Sequence, residues 1–392
     1  MSEKIKIALV LAAVPGYSET FIWSKIEGLL NSGKDISLFI NKQKKNQYLK
    51  LDIPIYSQPD TSKKYKVIMQ LLWLLIQKPI RFFRFIYLEN SLSIKWPNIL
   101  KHLIINYHLL TQKLDWIHFE FATMGIGREN VAEVIGAKSS VSLRGFDIGL
   151  YPHKHYGCYN LLWKTIDKVH TISDNLYEKA IDLGLDPKTP YEKITPAINT
   201  EFFKSNVKEN LHNPLRILTV GRVTWIKGYE YALKALRLLK DKKINFEYHI
   251  VGDGYYKEAI VYAIHQLHLT ENVKLVGQIS PDEVKDEMEW ADIYIQPSIQ
   301  EGFCNAVLEA QTMGLLCIVT DAEGLSENIL DGETGWVIPK RSPEAISEQI
   351  IKIINMEMLQ YNKIRDNAII RVRNHFHLNE QIQNWSEFYK FD

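Results

Sequence analysis

The sequence lacks most of the features that would assign it at a glance. Its 392 residues include only three cysteines, Cys158, Cys304 and Cys317. That is too few for a disulfide framework, and no CxxC or Cys/His cluster with zinc spacing occurs. A reduced, cytoplasmic setting is therefore expected. Net charge is +1, from 47 basic and 46 acidic residues, so no overall field attracts nucleic acid and none is expected as a partner. No apolar run reaches the ~18 residues needed to span a bilayer. Lys4 and Lys6 before IALVLAAV imitate a short signal peptide, but Pro15-Gly16 and the helical pattern from Ser18 read as strand, turn and helix. There is no internal repeat and no low-complexity tract. No DxD carboxylate motif of the kind that holds Mg²⁺ or Mn²⁺ occurs.

What is present is a long α/β pattern. A chain of this length exceeds what one hydrophobic core usually organises, so two domains are expected. The first half opens with KIKIALVLA and the second, after Pro214, with LRILTVG at 215–221. Short β-rich runs followed by turns and helical segments favour parallel sheets with crossover helices. In the second half YEYALKALRLLK, KEAIVYAIHQLHL, PDEVKDEMEWA and NAVLEAQTMG read as helices; FEYHIV, VKLVG, DIYIQPS and LLCIVTD read as strands. The polar KSNVKENLHNP marks a linker. The expected division is a domain at 1–205, a linker at 206–214, a domain at 215–378 and a tail at 379–392. Ile382, Trp385 and Phe388 or Tyr389 form a helical stripe in that tail, suited to packing back on the first domain.

Ligands of open α/β sheets sit beyond the carboxyl ends of strands. One such end carries Gly221, Arg222 and Lys227 in GRVTWIKG, where two cations five residues apart can converge on a diphosphate or remain solvated loop charges. Another carries EGFCNAVLEA. There Gly302 permits a tight turn, and the amides of Phe303, Cys304 and Asn305 are expected to face outward at a helix start, where a phosphate fits. Glu301 suits sugar hydroxyls or a helix-cap role. Glu309 suits a ribose or a solvated helix face.

Together GRVTWIKG, VGDG, DIYIQPS, EGFCNAVLEAQTMG and DAEGLSENILDGETGWVIP resemble the family 4 retaining glycosyltransferases. The resemblance implies the GT-B fold, two Rossmann-like doubly wound parallel-sheet domains facing a central cleft. It also implies that Arg222 and Lys227 hold the donor diphosphate, Glu301 the donor sugar and Glu309 the ribose, with Gly252, Asp253 and Gly254 bordering the nucleotide. Gly324 and Glu327 fall on a further loop at the same sheet edge. The implied co-substrate is a UDP- or GDP-sugar, used without metal or other cofactor. The expected mechanism is front-face: the leaving phosphate takes the acceptor proton, and no enzyme nucleophile acts.

In the first half the resemblance rests on VPGYSETFI, WIHFEFATMG, SLRGFDIG, VHTISDNLYEKAIDLG and ITPAINTEFF. It points to the subgroup that builds bacterial capsule, exopolysaccharide and colanic-acid-type glycans. Gly16 either approaches the diphosphate or forms a plain turn, and Ser18 is a helix-cap candidate. Arg144 stands where relatives commonly carry histidine. It stays protonated, so it orients acceptor or stabilises charge, or else pairs with Asp147. His118 and Glu120 are placed on the acceptor or donor-sugar side, Glu120 as a proton acceptor if its pKa is raised. Ser173 and Asp174 read as a helix cap.

Residues 61–113 differ in composition. Nine basic residues, Lys63, Lys64, Lys66, Lys78, Arg81, Arg84, Lys95, Lys101 and Lys113, oppose one acid, Glu89. The segment reads either as a basic amphipathic surface for anionic lipid or as two packed helices broken at Pro79 with solvated cations. The expected function is retaining transfer of a sugar to a glycan or lipid-linked glycan. The alternatives are a GT-B-type sugar-nucleotide epimerase and a non-catalytic glycan- or nucleotide-binding protein.

Overall fold

The computed structural model describes residues 4–16, 19–42, 51–62, 64–204 and 210–390. Ser18, Lys63, residues 206–209 of the expected linker and the last two residues of the tail lie outside the described residues, as does the side chain of Lys64. The chain divides into two compact units: Met1–Ile194 with Ile382–Asp392, and Thr195–Gln381.

The first unit contains a seven-stranded parallel sheet: β1 (Lys6–Leu11), β2 (Asp35–Ile40), β3 (Ile55–Ser57), β4 (Trp116–Phe119), β5 (Lys138–Leu143), β6 (Lys168–Thr171) and β7 (Tyr191–Lys193), in the order β3-β2-β1-β4-β5-β6-β7. Among the described residues four helices precede β4: α1 (Thr20–Asn31), α2 (Lys64–Gln77), α3 (Pro79–Ser91) and α4 (Trp96–Leu110). The sequence suggests two helices after residue 61; the third arises because Pro97 sits in the first turn of α4, where its missing N–H costs nothing. Trp385, Phe388 and Tyr389 of the C-terminal segment are buried with Trp116, Trp23 and Leu38 in this unit's core.

The second unit repeats the plan with six parallel strands: β8 (Leu215–Val220), β9 (Phe246–Val251), β10 (Val273–Gly277), β11 (Ile293–Gln296), β12 (Leu316–Thr320) and β13 (Trp336–Ile338), ordered β10-β9-β8-β11-β12-β13. Every residue of β11 and β12 is buried, as a strand covered on both faces requires, which is why LCIVT is a continuous apolar run. The helix Pro281–Trp290 begins with a capping box in which Ser280 and Glu283 satisfy each other's amides. The expected doubly wound parallel sheets are thus present in both halves. In each, the strand order reverses beside the first strand: between β1 and β4, and between β8 and β11.

Candidate functional site

In the second unit the reversal point holds the residues of interest. The loops leaving β8 and β11 run side by side, and the amide of Ile299 donates to the Ile226 carbonyl at 2.7 Å. Gly228 makes the approach possible: it has φ +66, and a Cβ there would meet the Pro297 carbonyl oxygen at 2.1 Å. This contact brings Lys227 onto Glu301, and the Nζ–Oε2 ion pair forms between groups only 10 and 16% exposed. Burial opposes the charge on Lys227, but Glu301 outweighs it, and the lysine pKa lies above its ordinary value. Ser298 Oγ also donates to Glu301 Oε2, at 3.2 Å. The second oxygen, Oε1, makes no hydrogen bond among the described residues. Arg222 is exposed, with its guanidinium unpaired among the described residues, close enough to Lys227 to oppose its charge. The result is a carboxylate held by one edge, with a free oxygen and a free guanidinium beside it.

Gly252 and Gly254 have a structural explanation. The amide of Gly221 donates to the Val251 carbonyl, and that of Val223 to the Asp253 carbonyl. A Cβ on Gly252 or Gly254 would meet the Gly221 or Val223 carbonyl oxygen at 2.0 or 2.2 Å. Gly252 and Gly254 let the loops after β8 and β9 lie against each other. Asp253 is exposed and accepts from the Gly254 amide at 2.9 Å.

One expectation for EGFCNAVLEA is corrected. The Cys304 amide does not face outward: it donates to Asn328 Oδ1 at 3.1 Å, and Asn328 Nδ2 returns a bond to the Cys304 carbonyl at 3.0 Å. The Phe303 ring packs against Phe376 at 5.7 Å and is buried. Gly302 is buried beside it, while Asn305 opens the helix Asn305–Thr312 half-exposed. The Cys304 thiol is pushed up to about 11 by burial, which leaves it unreactive. Glu309 is half-buried on that helix, its carboxylate making no ion pair or hydrogen bond among the described residues, and burial raises its pKa to about 7.

Sequence reasoning missed Ser298, Glu323 and Asn328. Glu323 Oε2 accepts from the Glu301 amide at 3.1 Å, and Glu323 itself adopts φ +48, a conformation uncommon outside glycine. The loop after β12 that carries Gly324 and Glu327 thus touches Glu301 through Glu323. The Gly324 backbone is buried, and the Glu327 carbonyl accepts from Arg371 at 2.8 Å.

The first unit holds the remaining candidates. Gly16 is exposed after β1, with its amide bonded to Glu19 Oε2 at 2.8 Å. Glu120, at the end of β4, is fully buried between two cations, Lys25 Nζ at 2.6 Å and Arg144 Nη2 at 2.9 Å. Burial alone would raise its pKa; the two cations reverse the sign and hold it below the ordinary value. The expectation of a raised pKa and a proton acceptor at Glu120 is therefore corrected. Lys25, unforeseen in the sequence, lies over the Trp385 ring at 3.5 Å, and burial lowers its pKa to about 8.

Arg144 also donates through Nε to the Glu120 carbonyl at 2.9 Å, and its guanidinium stacks on Phe21 at 4.2 Å. Its Nη1 has no partner among the described residues. Asp147 is not its ion-pair partner. Its two oxygens accept backbone amides, Arg144 at 2.9 Å and Ala122 at 2.5 Å, and burial raises its pKa to about 7.

His118 does not line an open surface. Its Nδ1 and Nε2 lie 2.8 Å from Ser140 Oγ and Ser142 Oγ, Ser142 continues to His170 Nδ1 at 2.8 Å, and His170 Nε2 reaches the Ile194 carbonyl at 3.0 Å. The carbonyl can only accept, so each imidazole carries its proton on Nε2 and the serine hydroxyls point along the chain. Ser173 caps the helix Asp174–Asp182.

Residues 200–371 match the family described as Glycosyl transferases group 1. The amylovoran biosynthesis glycosyltransferase AmsK of Erwinia amylovora is 30% identical over 248 residues, 60% of each chain. The putative colanic acid biosynthesis glycosyltransferase WcaL of Salmonella typhimurium is 23% identical over 381 residues, 90% of this chain and 91% of that one. Among solved structures, Anabaena Alr3699/HepE in complex with UDP superposes with a TM-score of 0.73 at 14% identity, covering 98% of this chain and 99% of that one. The last likeness speaks for the fold alone.

Proposed function

We propose that this chain, a two-domain GT-B protein with a glycosyl transferases group 1 domain, transfers a sugar from a nucleoside-diphosphate sugar to a growing bacterial glycan with retention of anomeric configuration. The observation that carries the reading is the arrangement at the β8/β11 reversal point, where Lys227 holds Glu301 by one oxygen and Arg222 stands unpaired beside them. A sugar hydroxyl can donate to the free Oε1, while the diphosphate draws on both cations. The helix Asn305–Thr312 offers Glu309 to the ribose. The named activities of the amylovoran and colanic acid relatives support an exopolysaccharide acceptor, and the UDP bound by the Anabaena protein supports a nucleotide donor.

In this reading the anomeric C–O bond to phosphate breaks as the acceptor C–O bond forms on the same face. The departing phosphate oxygen takes the acceptor proton, so the enzyme supplies neither nucleophile nor base. Arg222 and Lys227 meet the charge that develops on the diphosphate, where fixed cations at a partly dry site act most strongly. Without a DxD triad, the step is assigned to these cations rather than to a divalent metal. Arg144, anchored by Glu120 and by Phe21, offers Nη1 to the acceptor.

The test is a thermal-shift panel of UDP, GDP and their sugars, followed by product analysis. A ligand at one hundred times its Kd stabilises by ~2.7 kcal/mol. Absence of a shift with every nucleoside diphosphate would remove the donor reading. A product with inverted anomeric coupling by NMR would remove retention but leave transfer standing.

A further inference from the structure

Twelve of the twenty-four exposed large apolar side chains among the described residues lie between Tyr65 and Leu100. They are not scattered. In α2 they fall at Tyr65, Ile68, Met69, Leu72, Trp73 and Ile76, one face of a helix at the i, i+3, i+4, i+7 spacing. The opposite face, with Val67 and Leu74, is the buried one. Helix α3 adds Ile80, Phe83 and Tyr87, and α4 adds Trp96 and Leu100. A periodic apolar stripe normally turns toward the core; here it turns toward solvent, with Ile76 72% and Ile80 81% exposed.

Charge on the same helices has one sign. Lys66, Lys78, Lys95 and Lys101 are exposed with no partner among the described residues. The one acid of the segment, Glu89, is fully buried and bonded to His102 and Asn130. Arg81 is spent on the carbonyls at the end of α4. No helix among the described residues is long and apolar enough to cross a membrane.

We infer that the exposed faces of α2, α3 and α4 dock on an anionic lipid surface, lying in its interface without spanning it. Apolar side chains, Trp and Tyr rings and unpaired lysines are the three things such an interface recognises. A second copy of the chain fits less well, because a two-fold contact through this face would set its lysines against their own copies. The docking makes no use of the donor-site residues and goes beyond the glycosyl-transfer reading. An acceptor carried on a lipid would be met at the surface where it resides.

Co-sedimentation with vesicles tests the inference on the full-length chain, using phosphatidylcholine alone and phosphatidylcholine with an equal part of phosphatidylglycerol. The chain should pellet with the anionic vesicles at low salt and release as salt rises. Two variants probe the two components, K66Q/K78Q/K95Q/K101Q for charge and I68S/L72S/I76S for the stripe. Each should weaken binding by roughly tenfold or more, while the nucleotide-induced thermal shift stays at its wild-type size. Three results overturn the inference: no pelleting with anionic vesicles, variants that pellet like wild type, or a concentration-dependent dimer in sedimentation velocity that the stripe variant abolishes. A missing nucleotide shift alongside intact vesicle binding would count against the donor reading alone.

Discussion

Lys227 and Glu301 are 74 residues apart in sequence and form an ion pair at the ends of two neighbouring strands. Because both groups are largely shielded from water, removing one leaves the other stranded. Lys227→Ala should cost about 3 kcal/mol of stability, the lower part of the range for breaking a buried pair. Glu301→Gln keeps the shape and should cost less. The double variant should recover part of the loss, and denaturant unfolding of all four proteins gives the coupling directly. Arg222→Ala is the contrast: exposed and unpaired, it should change stability by less than about 0.5 kcal/mol. Yet it should weaken nucleoside diphosphate binding by roughly 10–100-fold, the loss of a hydrogen bond to a charged group. Unchanged affinity by calorimetry would detach Arg222 from the site.

Glu309 has no partner to hold its charge, and burial lifts its pKa to about 7. If its carboxylate accepts ribose hydroxyls, binding draws on the deprotonated form. Affinity for a nucleoside diphosphate should therefore rise with pH through about 7, beyond what the phosphate's own ionisation accounts for. Glu309→Gln should bind more weakly at high pH and lose that extra slope. Parallel titrations of both proteins between acid and alkaline buffers isolate the difference, and identical slopes would count against the ribose role.

Most of the second unit was legible in the sequence because buried parallel strands are written as short, largely apolar runs between helical segments, as in DIYIQPS or LLCIVTD. The site was legible in its residues but not in its pairings. That Lys227 would meet Glu301 depends on β8 lying beside β11. That Asn328 would take the Cys304 amide depends on a loop 24 residues away. In the first unit the same limit misplaced His118. Strand register sets His118 opposite Ser140 and Ser142 opposite His170, turning isolated polar residues into an internal ladder. Periodicity in residues 65–76 announced an amphipathic helix, but a period carries no sign, and only packing reveals that the apolar stripe is the outer one.

The same ladder makes acid stability measurable at named residues. His118 and His170 are fully buried, and burial, with the nearby charges of Lys25 and Arg144, holds both well below the ordinary 6.5. Below pH 6.5 the unfolded chain takes up two protons that the folded ladder refuses, so stability falls as pH falls. At pH 5 the loss is about 2 kcal/mol per histidine. Asp147 acts oppositely. Its pKa of about 7 in the fold exceeds that of an unfolded aspartate, so the folded state gains protons first and is favoured as pH drops through 7. Glu309 has the same sign. The net curve mixes these contributions, and comparison with a variant separates them. H118N/H170N removes both imidazoles and should be less stable than wild type at neutral pH. The gap between the two proteins should narrow by about 4 kcal/mol between pH 7 and pH 5. Denaturant unfolding at the two pH values measures it; a gap independent of pH would mean that the histidines protonate inside the fold and that the ladder is not held neutral.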